Sequence, residues 1–359
     1  MRFTFIVIVI LTISMSSGNA LGQMKTENVV LITIDGMRWQ ELFKGADPMI
    51  MNDRRFVKDR SQLSMTFNAG SIELRRKQLM PFIWETLAKQ GQIYGNRDLG
   101  NKVNVLNQYW FSYPGYNELL TGKADRRIRS NAKKANPNKT ILEFANKQEH
   151  FKGKVAAFAS WDVFHYIVNS KRSGIHLNAG NDTAKLKLTA REKYLNHLQR
   201  NTPSPWKATR FDEFTINYAR EYLTKNSPRL LLIAFGETDE FAHQGKYDGY
   251  LNAAHKTDKY IRDVWDWIQS DERYRDKTTL IITTDHGRGA GRKSWRSHGV
   301  GRPGSNHTWF AVLGPDTQPL GEIKIKGHHY TNELTRTIST LLNLNYPQPN
   351  TPGPVIAVR

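Results

Sequence analysis

The chain has 359 residues, 39% hydrophobic and 24% charged, with no cysteine and a formal net charge of +19. That is the composition of a globular protein with room for one large α/β domain or two smaller ones, and it excludes a disulfide framework, a thiolate metal site and a lipidated cysteine. The charge surplus draws anions without choosing among phosphate esters, sulfated glycans, nucleic acid and acidic membrane surfaces. No nucleic-acid-binding signature, internal repeat or zinc-finger spacing occurs, so no specific nucleic-acid partner is expected.

Met1 to Gly22 stands apart, with Arg2 before an apolar run from Phe3 to Ile13 and small residues from Ser16 to Gly22. This is the pattern of a secretory signal peptide, and the expectation is a periplasmic or secreted protein with no membrane span after the leader is removed. Residues 23–359 then form a single domain.

Asn28 to Ile34, NVVLITI, is an apolar β-branched run closed by Asp35 and Gly36. It predicts an interior strand with Asp35 at its carboxyl end, where open α/β sheets bind ligands; the plainer reading is an Asp-Gly turn. Met37 to Phe43 begins a helix, residues 44–71 make an excursion from the sheet, and Lys77 to Gln90 has helical spacing with Gly91 as its stop. In NQYWFSYPGYNELLTG, Asn107 to Gly122, a helix is predicted over Tyr116 to Leu120. Ser112 precedes it, where the helix dipole favours negative charge, so it is either a turn residue or a nucleophile attacking an anionic group.

A basic loop, Arg126 to Lys139, carries Asn131. Thr140 to Lys147 predicts a helix and Lys154 to Ala159 a buried strand. The polar stretch 162–206, with a helix at Thr189 to Gln199, reads as an inserted cap. An aromatic stripe in Arg210 to Leu223 is core packing. Arg229 to Phe235 is a third buried strand, followed by GETDEFAHQG, in which Asp239 and His243 are four apart and share one helical face. Tyr247 to Ile268 is a long amphipathic helix.

It leads to TTLIITTDHG, whose strand Thr279 to Thr283 delivers Asp285 and His286. A carboxylate beside an imidazole offers an oxygen and a nitrogen to one divalent metal, most simply zinc; alone, the pair is equally a cap and a loop residue. The glycine-rich, basic loop that follows is a solvated linker or a mobile anion clamp. His307 precedes a strand at Trp309 to Leu313, Tyr330 to Leu342 makes the final helix, and Pro347 to Pro354 forms a tail.

Taken in order, VVLITIDG, SYPGYNELLTG, DEFAHQG, TTDHG and HTWFAVLGP resemble the motifs of the alkaline phosphatase superfamily, including its type I phosphodiesterase and nucleotide pyrophosphatase members, over most of residues 28 to 345. The resemblance implies a three-layer α/β/α sandwich on a mostly parallel sheet, and an exported metal-dependent hydrolase of phosphoric esters, monoester or diester. It implies two divalent cations, zinc or alternatively manganese. Asp35, Asp285, His286 and the Ser112 oxygen would hold one; Asp239, His243 and His307 would hold the other. His298 competes with His307, and His307 is preferred because HT before an apolar strand matches the phosphatase and mutase pattern. Ser112 would be the nucleophile and form a phosphoseryl intermediate, with Asn131 contacting phosphoryl oxygens of a small anionic ester. A sulfatase is the alternative enzyme, weakened because Tyr116 stands where that branch carries arginine. A metal-stabilised anion- or glycan-binding protein without turnover is the alternative of another class.

Overall fold

The computed structural model describes residues 24–185 and 187–347, so the leader and the tail beyond Pro347 lie outside the described residues. Its strands are β1 (Asn28–Ile34), β2 (Gln92–Tyr94), β3 (Asn101–Asn104), β4 (Val155–Ala159), β5 (His176–Ala179), β6 (Leu230–Phe235), β7 (Thr278–Thr283), β8 (His307–Thr308), β9 (Phe310–Leu313), β10 (Gly321–Glu322) and β11 (Gly327–Tyr330). Eight of them form one sheet in the order β10-β2-β9-β7-β1-β6-β4-β5, and β11-β3-β8 form a second, smaller sheet. In the large sheet β9 alone runs against its neighbours β7 and β2.

Burial on both faces explains why β1, β6 and β7 read as continuous apolar runs rather than alternating ones. In β1, Val30, Ile32 and Ile34 enter one core, with Ile261 and Val264 of the helix Tyr247–Ser270. Val29 and Leu31 enter the other, with Leu119 and Leu120 of the helix Ser112–Thr121 and Leu334 and Ile338 of the helix Glu333–Leu341. Helices thus cover the sheet on both sides, and the architecture is the expected α/β/α sandwich. No described helix is long and apolar enough to cross a membrane.

Register places the site. Ile34 of β1 lies beside Phe235 of β6, and Thr33 lies beside Thr283 of β7. The three strands run in one direction and end level, so the segments after them emerge at one edge. Residues 44–71 do leave the sheet, as the short helices Pro48–Met51 and Arg60–Phe67. Residues 162–206 are less separate than a cap, because they supply β5, which pairs with β4 at the sheet edge. The helix expected over Lys77 to Gln90 is broken into Ile72–Leu79, a π-helical turn at Ile83–Leu87 and Ala88–Gln90. The break is held by Asp258, whose carboxylate accepts the N–H groups of Phe82 at 2.7 Å and Ile83 at 3.1 Å.

Candidate active site

The helix carrying Ser112 starts at Ser112 itself, four residues earlier than Pro114 and Gly115 suggested. Proline is well placed in a first helical turn, where its missing N–H costs nothing. Gly115 is there for a different reason: a Cβ on it would stand 2.2 Å from the carbonyl oxygen of Asp285. The absence of a side chain lets this helix press against the end of β7. Ser112 is brought with it, its Oγ 3.3 Å from Nε2 of His286.

The loop before Ser112 is fixed by the same helix. Glu118, fully buried, accepts N–H groups of Leu106 at 2.7 Å and Asn107 at 2.8 Å. Asn107 Oδ1 in turn accepts from Tyr109 and Trp110 N–H. Trp110 is held at φ 55°, a left-handed conformation that a bulky residue adopts only where its surroundings impose it. Asn131 Oδ1 accepts the Tyr113 N–H at 3.0 Å, which sets its side chain at the helix start next to Ser112.

His286 is the hub. Its Nδ1 donates to the carbonyl of Gly287 at 2.8 Å, which leaves Nε2 to face the acids. Nε2 lies 3.3 Å from Asp35 Oδ1, 3.5 Å from Asp285 Oδ2 and 4.0 Å from Asp239 Oδ1. Burial, then repulsion from Asp285 and Asp239, pushes the Asp35 carboxyl well above the usual range; burial raises Asp285 too. Burial works against a charged His286, yet Asp285 and Asp35 lift it to about 9. Asp35 Oδ1 and Asp285 Oδ2 are buried without a hydrogen-bond partner. Acids packed this way around one imidazole lack positive charge, and a divalent cation taking oxygen and nitrogen ligands fits that deficit.

Asp239 and His243 share a face of the helix Glu237–His243 as their spacing predicts, with Oδ2 and Nε2 3.1 Å apart. The third member of this group is His298. Its Nε2 lies 2.9 Å from Nε2 of His243 and 3.6 Å from Asp239 Oδ1, and its ring stacks on His286 at 4.0 Å. The preference for His307 is therefore corrected. Its strand β8 pairs with β3, and its imidazole is pushed down to about 4 by burial and by Arg97 and Lys102, cations that do not belong to this cluster. Asp35, Asp285 and His286 form one group able to hold a metal, and Asp239, His286 and His298 another.

Arg288 is the residue of this cluster that sequence reasoning left among the loop cations. Fully buried, it bonds Asp239 through Nη1 and the carbonyls of Trp295 and Arg296 through Nε and Nη2, at 2.8 Å and 2.6 Å. Burial disfavours charge on Asp239, but Arg288, His243 and His298 outweigh it and hold that carboxyl well below the usual range. Trp295 anchors the loop, fully buried among Phe56, Tyr247 and Tyr250. An apolar tryptophan in a largely polar, glycine-rich stretch was the available signal that this loop, though exposed over residues 290–293 and 300–303, is anchored at Trp295.

A model of the type I phosphodiesterase / nucleotide pyrophosphatase family matches residues 49–337. The chain belongs to that family. The match begins after Asp35, which joins this family member's site through the register of β1 with β6 and β7. A 2,3-bisphosphoglycerate-independent phosphoglycerate mutase of Gracilaria tenuistipitata var. liui is 28% identical over 140 residues, 39% of this chain and 25% of the mutase. The chain thus spans about a quarter of that relative's length. Solved structures with the same fold include lipoteichoic acid synthase LtaP from Listeria monocytogenes (12% identity, 93% of this chain and 76% of that one, TM-score 0.60). Alkaline phosphatase PafA (10%, 95% and 100%, 0.60) and murine ectonucleotide pyrophosphatase/phosphodiesterase 5 with AMP (12%, 90% and 97%, 0.55) share it as well. These likenesses place the chain in the alkaline phosphatase superfamily.

Proposed function

We propose that this protein is an exported, metal-dependent hydrolase of phosphoric esters that works through Ser112. One observation carries the reading: the Ser112 hydroxyl stands at the amino end of a buried helix, 3.3 Å from the imidazole around which the unpartnered carboxylates gather. Two divalent cations, zinc or manganese, held by Asp35, Asp285 and His286 and by Asp239, His243 and His298, would supply Lewis acidity and neutralise phosphoryl charge. Family membership supports the reaction class.

The chain's own residues set the geometry of the displacement. The helix dipole and the Ser112 N–H favour an anionic group beside Oγ. Asn131, fixed beside Ser112 by the Tyr113 N–H, would offer its amide to that group. Ser112 Oγ loses its proton and attacks phosphorus; the bond from phosphorus to the ester oxygen breaks, and the alcohol leaves protonated. Water then attacks the phosphoseryl ester, the Ser112 oxygen regains its proton, and phosphate is released, or a monoester when the substrate was a diester.

Tyr116 bonds Thr33 through its hydroxyl at 3.1 Å and is fully buried, so no charged side chain occupies the position at which a sulfatase has its arginine. The test is release of nitrophenol from aryl phosphate monoester, diester and sulfate. Ser112→Ala and chelation should each abolish the phosphate activities; turnover persisting in either, or faster sulfate release, would overturn the reading.

A further inference from the structure

The small sheet β11-β3-β8 presents a face that the Ser112 centre does not use. Asn101 and Val103 of β3 are buried, whereas Lys102 and Asn104 point outward. Register then fixes their neighbours: Lys102 lies opposite His328, and Asn104 lies between Tyr330 and His307. His329, on the inner face, packs against Tyr94 at 5.1 Å instead. Arg97 closes one end of the outer face, donating from Nη1 to the Val103 carbonyl and from Nη2 to Asn104 Oδ1, both at 2.9 Å.

Both partners of Arg97 are neutral. Burial alone acts on its guanidinium, pulling it down to about 10, and no described acidic group offsets it. Its neighbour Asp98 bonds Lys44 at 3.0 Å. Glu333, the described acid whose charge acts on His328, already takes the Tyr330 N–H at 2.9 Å and faces His329 at 3.6 Å. The positive charges of Arg97 and Lys102 both fall on His307 and His328. A half-buried guanidinium without a counter-ion is costly to retain, and a ligand of opposite charge removes that cost.

We infer that Arg97, Lys102, His307 and His328 form a binding site for a phosphate-type oxyanion, distinct from the Ser112 centre. The guanidinium fork has N–H groups left over for two oxygens, Lys102 adds a point charge, and the two rings add N–H donors. The site borders the centre. Val105, next after β3, bonds Asn306 at 3.1 Å on the way to Ser112, and the His307 carbonyl packs against Gly287. Two sources share the chemistry: free phosphate, or a second phosphate group on the substrate. Only the second rests on the proposed hydrolysis.

The experiment titrates inorganic phosphate into chelator-stripped Ser112→Ala protein while the ring signals of His307 and His328, assigned with His307→Gln and His328→Gln, are followed by NMR. Both signals should shift saturably. Arg97→Gln with Lys102→Ala should weaken binding by about tenfold or more, as loss of charge-assisted bonds does, and Lys102→Ala alone, at an exposed position, by about threefold. Signals that stay put up to about 50 mM phosphate, or a midpoint unmoved by Lys102→Ala, would overturn the site. In the metal-loaded enzyme, a KM raised by Lys102→Ala for a bisphosphate ester and not for an aryl phosphate assigns the site to substrate. Relief of phosphate inhibition with both KM values unchanged assigns it to free phosphate. Because the NMR arm needs no turnover, it stands or falls separately from the hydrolase reading.

Discussion

Gly115→Ala isolates the contact that positions Ser112, the proposed nucleophile. The added methyl group would sit 2.2 Å from the Asp285 carbonyl oxygen and 3.0 Å from its carbon, and ordinary contact begins near 3.4 Å. Helix Ser112–Thr121 or the end of β7 must therefore give by roughly 1 Å. Two effects on stability oppose each other. Alanine gains about 1 kcal/mol over glycine in a helix interior, while overpacking a filled core costs about 1–3 kcal/mol. The net change is a destabilisation of about 0–2 kcal/mol by these figures. Activity is affected more, because a displacement of about 1 Å at a reacting group costs on the order of 100-fold. The 3.3 Å approach of Ser112 Oγ to His286 should be the distance that lengthens. The assay pairs thermal unfolding with kcat on an aryl phosphate. A kcat within about threefold of wild type would refute the reasoning, since it would mean that Ser112 tolerates the shift.

Exchange of the histidines separates the two candidate ligands: His298→Ala should lose about one metal equivalent and on the order of 100-fold in activity, whereas His307→Ala should keep its metal content, both read by metal analysis of the purified protein. Trp295→Ala removes the buried anchor of the loop and should cost about 3–5 kcal/mol, seen as a lowered urea midpoint, with a drop in metal affinity because the same loop carries Arg288 and His298. Burial raises Asp258 to about 7 despite its two N–H donors. Its folded pKa exceeds the unfolded value, so the native state binds the extra proton between about pH 4 and 7 and stability from this group falls as pH rises through that window, by at most about 1.4 kcal/mol per pH unit. Asp258→Asn should flatten that part of the profile, measured as the difference in urea midpoints between pH 4.5 and 7.5.

The interior strands were legible because both faces of β1, β6 and β7 are covered, so burial wrote itself into the sequence as unbroken apolar runs. Asp35, Asp285 and His286 followed directly, lying within three residues of the ends of β1 and β7. Asp239 and His243 were legible through helical spacing alone. His298 was not, because it lies in a loop with no periodicity, and its place depends on Trp295 docking some distance away along the chain. The short strands β2, β3, β5, β10 and β11 escaped for a similar reason: with two to four residues each, their pairing is decided by neighbours remote in sequence. Assigning His307 to the centre followed a local pattern, HT before an apolar strand, that the hydrogen-bond register of β8 with β3 overrides.

The two candidate ligand groups also differ in what a change of loop length can reach. Asp35, Asp285 and His286 sit at most three residues from paired strands, and their spacing is set once β1 and β7 are in register. His298 hangs on a glycine-rich segment held by Trp295 and by the bonds of Arg288 to the Trp295 and Arg296 carbonyls, so an insertion or deletion between residues 288 and 306 would move His298 more than Asp35 or Asp285. Divergence among relatives at the position of His298 and in the room beside it would accordingly be concentrated in that loop, while Asp35, Asp285 and the proposed nucleophile Ser112 are bound to the geometry of the sheet.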